Sequence, residues 1–255
     1  MNLGYEYIKY LVKGQGRHQI HSPFVYDFVD VCIKKKIEKN DRLFLNEFIY
    51  LLKNNNEEYD FDFYGAGSRN KKTYTKIKDF SEKASSKGKK WKLLYNVTKH
   101  YNPKRILELG TNFGLGTLAF RLGSPNSQIT TIEGSKTIYS INQKNFEHFN
   151  INDLTFINNS FESFLSNIDK IKYDIIFIDG DHKGQALLEN LNKLIANSYD
   201  NTLIIIDDIR WSKDMYLAWK QIIDDKRFNL TMDLFQLGII AKMPSKEKEH
   251  FIIKY

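Results

Sequence analysis

One cysteine, Cys32, stands in 255 residues. That excludes an internal disulfide and any cysteine-built zinc cluster. Long apolar runs are missing too. The densest are Ile175 to Ile178 and Leu203 to Ile206, against the roughly 18 consecutive apolar residues that a membrane-spanning helix needs. No membrane span is expected. Met1 to Lys13 is aromatic and charged rather than basic and then apolar, so no secretion signal is read there and a cytoplasmic location is expected. Arginine is scarce against lysine, which colours the net charge of +7. Such a charge admits a nucleic-acid partner. The abundance of Lys, Ile and Asn nevertheless reads as compositional bias, and only Lys87 to Lys92 is densely basic. Net charge speaks to association and not to fold.

What is present is a core. Apolar residues make up 42% of the chain and aromatics 14%, enough for one large α/β domain with an extension. The texture changes near residue 85. Residues 1–85 read as an N-terminal helical extension, a cap over a substrate. Tyr5, Ile8, Leu11 and Val12 recur there at helical spacing, and Ser22-Pro23 is a helix start, Ser as N-cap and Pro at the first helical position, with helix over Phe24 to Lys34. Residues 86–255 read as the main domain. A helix over Lys89 to Tyr101 leads into short apolar strands at Arg105–Leu109, Gln128–Ile132, Leu154–Asn158, Tyr173–Ile178 and Thr202–Ile206. Helices fall between and after them, at Leu115–Leu122, Thr137–Phe149, Phe161–Ile168, Gly184–Asn197 and Lys213–Asp224. Short apolar strands alternating with helices predict a parallel sheet covered on both faces, with right-handed crossovers. Asn229–Leu234 and Leu237–Lys242 are too close for a crossover and must pair antiparallel. The fold class is α/β: a doubly wound, seven-stranded, mostly parallel, Rossmann-like sheet.

The segment that carries chemistry is ILELGTNFGLGT, Ile106 to Thr117. A strand delivers Glu108 and Gly110, and a turn with Gly114 and Gly116 opens the next helix. Glycines serve where the backbone bends tightly and a ligand approaches closely. The spacing Gly-x-x-x-Gly-x-Gly differs from the Gly-x-Gly-x-x-Gly of dinucleotide sites, whose pyrophosphate sits on a helix N-terminus. A ligand without phosphate suits the wider loop, and Thr111 and Asn112 lie within it. A second glycine run, Gly65-Ala66-Gly67-Ser68, reads as a loop. Glu133, followed by Gly134, ends the second strand and either accepts hydrogen bonds from ribose hydroxyls or is a solvated turn acid. Ser160 and Phe161 follow the third strand. They suit an adenine edge and face, or Ser160 caps the next helix. The fourth strand ends in Asp179-Gly180-Asp181-His182 and the fifth in Asp207-Asp208. Acids at one sheet rim suit a sulfonium cation and also a hard divalent metal. His182 is either a general base or a neighbour of the pocket. His18 and His21 either reach over the pocket as a lid or pack locally.

ILELGTNFGLGT, IEGS and FIDGDH together resemble class I methyltransferases dependent on S-adenosylmethionine (SAM), of the catechol and caffeoyl-CoA O-methyltransferase type, over roughly Ser85 to Lys242. The RHQIHSPF segment, YGAGS and the terminal hairpin resemble an uncharacterised bacterial branch of them. The resemblance implies SAM held by Ser86, Glu108, Gly110, Thr111, Asn112, Gly114, Gly116, Glu133, Gly134, Ser160, Phe161, Asp179 and His182. Ser86 lies where the family places a loop touching the methionine carboxylate. Methyl transfer to a hydroxyl of a small molecule is implied, with Asp179 and His182 catalytic. Metal-dependent members place ligands where this chain has Asp179, Asp207 and Asp208, so Mg²⁺ is a candidate. Two departures stand out: Asp208 replaces an Asn, and His182 stands where the family has a Lys. A homodimer is admitted. The rival readings are a methyltransferase acting on RNA or protein, and a SAM-binding module without catalysis.

Overall fold

The computed structural model describes residues 1–61, 73–79, 88–243 and 247–255. Helices α1 (Leu3–Lys13), α2 (Pro23–Asp27, continued by a π-helical stretch over Phe28–Lys34) and α3 (Lys39–Asn54) come first. A small antiparallel pair follows, β1 (Glu58–Phe61) with β2 (Thr73–Lys76). After α4 (Gly88–Tyr101) the chain alternates: β3 (Arg105–Leu109), α5 (Leu115–Gly123), β4 (Gln128–Glu133), α6 (Lys136–His148), β5 (Leu154–Asn158), α7 (Phe161–Ser166), β6 (Tyr173–Ile178), α8 (Gly184–Leu194), β7 (Ser198–Ile206) and α9 (Lys213–Asp224). Three strands close it, β8 (Leu230–Asp233), β9 (Gly238–Ala241) and β10 (Glu249–Ile252). The fold is α/β with a mostly parallel sheet of eight strands. The extra strand over the expected seven is β10, a four-residue segment whose alternation is too short to separate from its lysine-rich approach.

Two compact units divide the described chain: residues 1–26, 105–109 and 161–255 form one, and residues 27–104 and 110–160 the other. In the first unit β3, β6 and β7 run parallel, β9 pairs antiparallel with both β7 and β8, and β10 lies parallel beside β8. The central strands are nearly continuous Ile, Leu and Phe because helices cover both faces of such a sheet. α8 buries Leu187, Leu191 and Leu194, the i, i+4, i+7 stripe expected of a covering helix. α9 starts where the Ser212 hydroxyl accepts the Met215 N–H at 3.1 Å. Behind it Arg210 makes a bidentate pair with Asp233 at 2.8 and 2.7 Å, and Trp219 donates its indole N–H to the same carboxylate.

The stripe Tyr5, Ile8, Leu11 and Val12 on α1 faces outward, with Val12 79% exposed, and Tyr10 is the residue of α1 that is buried. Aromatic contact decides this. Tyr7 and Tyr10 pack on Phe235, and the Tyr10 hydroxyl donates to the carbonyl of Ile253. Pro23 opens a helix as expected. The Ser22 hydroxyl, though, donates to Glu249 at 3.2 Å instead of capping that helix.

In the second unit β4 and β5 pair in parallel, and α4 packs against the π-helical stretch and α5. Both of those helices are buried around most of their circumference. Asn96 ties α4 to the end of the π-helical stretch by donating to the carbonyls of Cys32 and Lys35 at 3.0 and 2.8 Å. Burial raises the Cys32 thiol above its ordinary range, so it stays a protonated apolar filler.

Candidate functional site

The glycine loop lies in the second unit, just beyond β3. Three of its residues take the left-handed backbone region: Gly110 at φ 101°, Asn112 at 48° and Gly114 at 78°. A Cβ on Gly114 would sit 2.7 Å from Cε1 of Phe146 and 3.3 Å from Oδ1 of Asn142. Glycine is therefore required there on two counts, conformation and space.

The hydrogen bonds of the loop show what it is built to accept. The N–H groups of Gly110 and Thr111 both donate to the Ile132 carbonyl, at 3.0 and 3.2 Å, and that of Gly114 to the Thr111 carbonyl at 2.9 Å. The Asn112 N–H donates to Oε2 of Glu133 at 2.9 Å, and the Ser135 N–H to Oε1 at 2.9 Å. Glu133, 8% exposed, thus clamps the loop to the end of β4. Thr111 and Thr131 join hydroxyls at 2.6 Å. Asn158 donates to the carbonyls of Glu133 and Gly134 at 2.8 and 3.3 Å. Asn142 donates to the Asn112 carbonyl. Two amide oxygens, Oδ1 of Asn112 and Oδ1 of Asn142, are buried without a partner among the described residues. A pyrophosphate needs donors, and these four loop N–H groups are already used. The spare groups are acceptors, suited to a ligand that brings N–H and O–H groups.

Gly116 lies in the first turn of α5, buried. Ser160 donates its N–H to Oδ1 of Asn159 at 2.9 Å. Ser86, the Gly65 to Ser68 run and Lys87 lie outside the described residues. Of the rest of the basic cluster, Lys90 is 6% exposed with Nζ 4.3 Å over the Trp91 ring. It is a packed side chain and not a phosphate contact.

The first unit holds the other candidates. Glu108 is fully enclosed in β3, at 0% exposed. Asp179 ends β6 and its N–H donates to the Leu109 carbonyl at 2.8 Å. Phe161 lays its ring on Gly180, where a Cβ would meet the ring carbons at 2.8 Å. His182 stacks on Trp211 at 5.2 Å between centroids, and its Nε2 lies 3.9 Å from Oδ2 of Asp208. Asp208 has φ 51° and Asp181 has φ 45°, left-handed positions that Asp tolerates in tight turns. Asp207 and Asp208 are buried. Among the described residues, no three His, Cys, Asp or Glu side chains gather where a metal ion could be held. His18 and His21 are both exposed.

Residues 107–209 match the family model described as a methyltransferase domain. Over those residues the chain is similar to a methyltransferase domain. Its match spans the glycine loop, Glu133, Asp179, His182 and Asp207-Asp208. Solved structures share the fold of this chain. The SAH-bound methyltransferase PaMTH1 of Podospora anserina is 17% identical, with a TM-score of 0.62 over 88% of this chain and 97% of its own. An O-methyltransferase of Bacillus cereus in complex with SAH is 21% identical, with a TM-score of 0.53 over 84% and 94%. The O-methyltransferase TomG of Streptomyces achromogenes, in complex with SAM, is 13% identical, with a TM-score of 0.52 over 60% and 79%. No curated protein matches the sequence.

Asn142, Asn158 and Trp211 were not among the expected site residues. The signal for Asn142 was present. It falls on the stripe Ile138, Ile141, Asn142, Asn145 and Phe146, the buried face of α6, and a polar residue on a buried face needs a partner.

Proposed function

We propose that the protein transfers a methyl group from SAM to a hydroxyl oxygen of a small-molecule acceptor. The observation that carries this reading is the loop whose early N–H groups are used internally, closed by an acid and left with buried acceptors. SAM brings a ribose diol and an ammonium, both donors, and supplies a methyl group made electrophilic by its sulfonium. Glu133 would take the diol, since each carboxylate oxygen can accept beyond the one backbone bond it holds. Asn112 and Asn142 offer their free amide oxygens to donors. Gly110, Gly114, Gly116 and Gly134 keep the backbone close and free of side-chain bulk, and Thr111 braces the loop through its hydroxyl contact with Thr131. Ser160 and Phe161 supply a small polar edge and an aromatic face for the adenine.

His182 is assigned the proton. Its ring lies against Trp211, with Nε2 3.9 Å from Oδ2 of Asp208, and imidazole is the side chain that most often serves as a general base. Asp179 stands three residues before it and keeps the rim negative, which favours a cation. Among the described residues no three metal-ligating side chains gather, and no step here relies on a metal. Support for a small acceptor over RNA comes from Lys90, whose burial removes one of the charges that a phosphate-binding cluster would use.

Calorimetric titration tests the donor assignment. S-adenosylhomocysteine should bind the purified protein, and NAD should not. Uptake of NAD with no affinity for S-adenosylhomocysteine would overturn the reading. With any hydroxylated acceptor turned over by the parent, His182→Ala should lower kcat by roughly 10²–10⁴-fold. Near-normal turnover across pH would remove the base role.

A further inference from the structure

A cavity of about 340 Å³ opens in the second unit, between α3, α4 and the turn that precedes α3. It is no part of the glycine loop. Ile37, Leu45, Ile49 and Trp91 give it apolar walls, and Lys36, Arg42 and Lys92 line it with charge. Lys36 and Arg42 are exposed and Lys92 half-buried. None of the three has an ion-pair or hydrogen-bond partner for its side chain among the described residues. The acids nearest Lys36 and Arg42 in sequence are engaged elsewhere: Glu38 with Lys99 at 2.8 Å, and Asp41 with the Tyr95 hydroxyl at 2.5 Å. Those same bonds fasten α3 to α4, so the cavity walls are held in place without a ligand. A second observation points to a missing partner. Trp91 is 6% exposed, and its indole N–H is buried with no acceptor among the described residues. A buried donor left unpaired is costly, and native proteins seldom leave one so.

We propose that this cavity binds a small organic anion: an apolar body against Leu45, Ile49 and Trp91, and a carboxylate or phosphate head met by Lys36, Arg42 and Lys92, with the Trp91 N–H as a further donor. The volume lies in the range of small-molecule sites, roughly 300–1,000 Å³. Three cations with no acid partner among the described residues select for negative charge. Arg42 can offer a planar fork to either kind of head. Burial, and then Lys89, lowers the pKa of Lys92, and the charge of an anion in the cavity would oppose that lowering. The site stands apart from the SAM assignment and does not depend on it.

The probe is the fluorescent apolar anion 1-anilinonaphthalene-8-sulfonate, titrated into the full chain. One saturable site is expected, displaced by octanoate and by octyl phosphate but far less by neutral octan-1-ol. Which of the two anions displaces better identifies the preferred head. Arg42→Glu and Lys92→Glu should each raise Kd at least about tenfold, the equivalent of ~1.4 kcal/mol. Trp91→Phe should weaken binding while keeping the wall apolar. Should the charge variants lose their fold by circular dichroism, Gly88→Leu serves instead. Gly88 lines the cavity, and an added Cβ there meets no atom within 4 Å; its longer side chain should block the probe. Undiminished binding in the folded variants, or equal displacement by octanol and octanoate, would overturn the proposal. S-adenosylhomocysteine titration on the same samples keeps the two questions separate, because its failure bears on the methyltransferase assignment alone.

Discussion

Glu133 is where structure and chemistry can be pulled apart. Its two oxygens accept the backbone N–H groups of Asn112 and Ser135, each at 2.9 Å, in a site that is 8% exposed. Glu133→Ala would leave both donors buried without their acceptor. At about 1–3 kcal/mol for each abandoned donor, the loss is roughly 2–6 kcal/mol. Glu133→Gln keeps one carbonyl oxygen but turns an NH₂ toward the other backbone donor, so about half that loss is expected. Urea unfolding followed by circular dichroism measures both. If the carboxylate also holds the ribose diol, S-adenosylhomocysteine affinity should fall in the Gln variant by roughly 10–100-fold, the worth of one charged hydrogen bond. A Glu133→Ala protein as stable as the parent within about 0.5 kcal/mol, a typical surface effect, would refute the clamp. A Gln variant with parental affinity would refute the ribose contact.

Gly114→Ala should cost about 2–5 kcal/mol in stability, since a left-handed alanine and an overpacked contact with Phe146 add together; a thermal melt unchanged from the parent would contradict the geometry. Arg210→Ala strips the partner from Asp233 at a site where both side chains are buried. A loss of about 3–5 kcal/mol is expected by denaturant titration. His250 is held below its usual pKa, first by burial, while its Nδ1 pairs with Thr231 at 2.7 Å. The unfolded chain therefore binds the extra proton more readily. The stability is fully present above the unfolded value of about 6.5 and drains as pH falls below it toward the folded value. His250→Gln should flatten that acid limb of the urea midpoint, and an unchanged slope would remove His250 as its source.

The alternating part of the chain was legible because periodicity there is physical: Ile175 to Ile178 can only be a strand with both faces covered, and Leu187, Leu191 and Leu194 only one side of a helix. Gly114 was legible for a similar reason, because glycine at a strand-to-helix turn points to a backbone no other residue tolerates well. The role of Glu133 was half legible. Its position at the end of β4 fitted either a ribose acceptor or a turn acid, and its clamp on Asn112 depends on a left-handed turn that no spacing reveals. The outward stripe of α1 was misleading, since periodicity gives the faces of a helix and not which one is covered. Tyr10 and Phe235 choose that face through a contact 225 residues apart in the chain. The Arg42 and Lys92 cavity was silent in sequence for the same reason.

Two segments some 240 residues apart hold hands. Gln15 donates to the Ile252 carbonyl at 2.7 Å and receives the Lys254 N–H at 3.3 Å, while the Tyr255 N–H reaches the Tyr10 hydroxyl at 2.9 Å. During synthesis α1 must wait, undocked and with its aromatic side bare, until Phe235 and residues 252–255 have been made. Closing so large a loop is the slowest kind of contact to make. Gln15→Pro, which removes the N–H that meets the Ile252 carbonyl, would loosen that clasp and should lower the yield of properly closed protein.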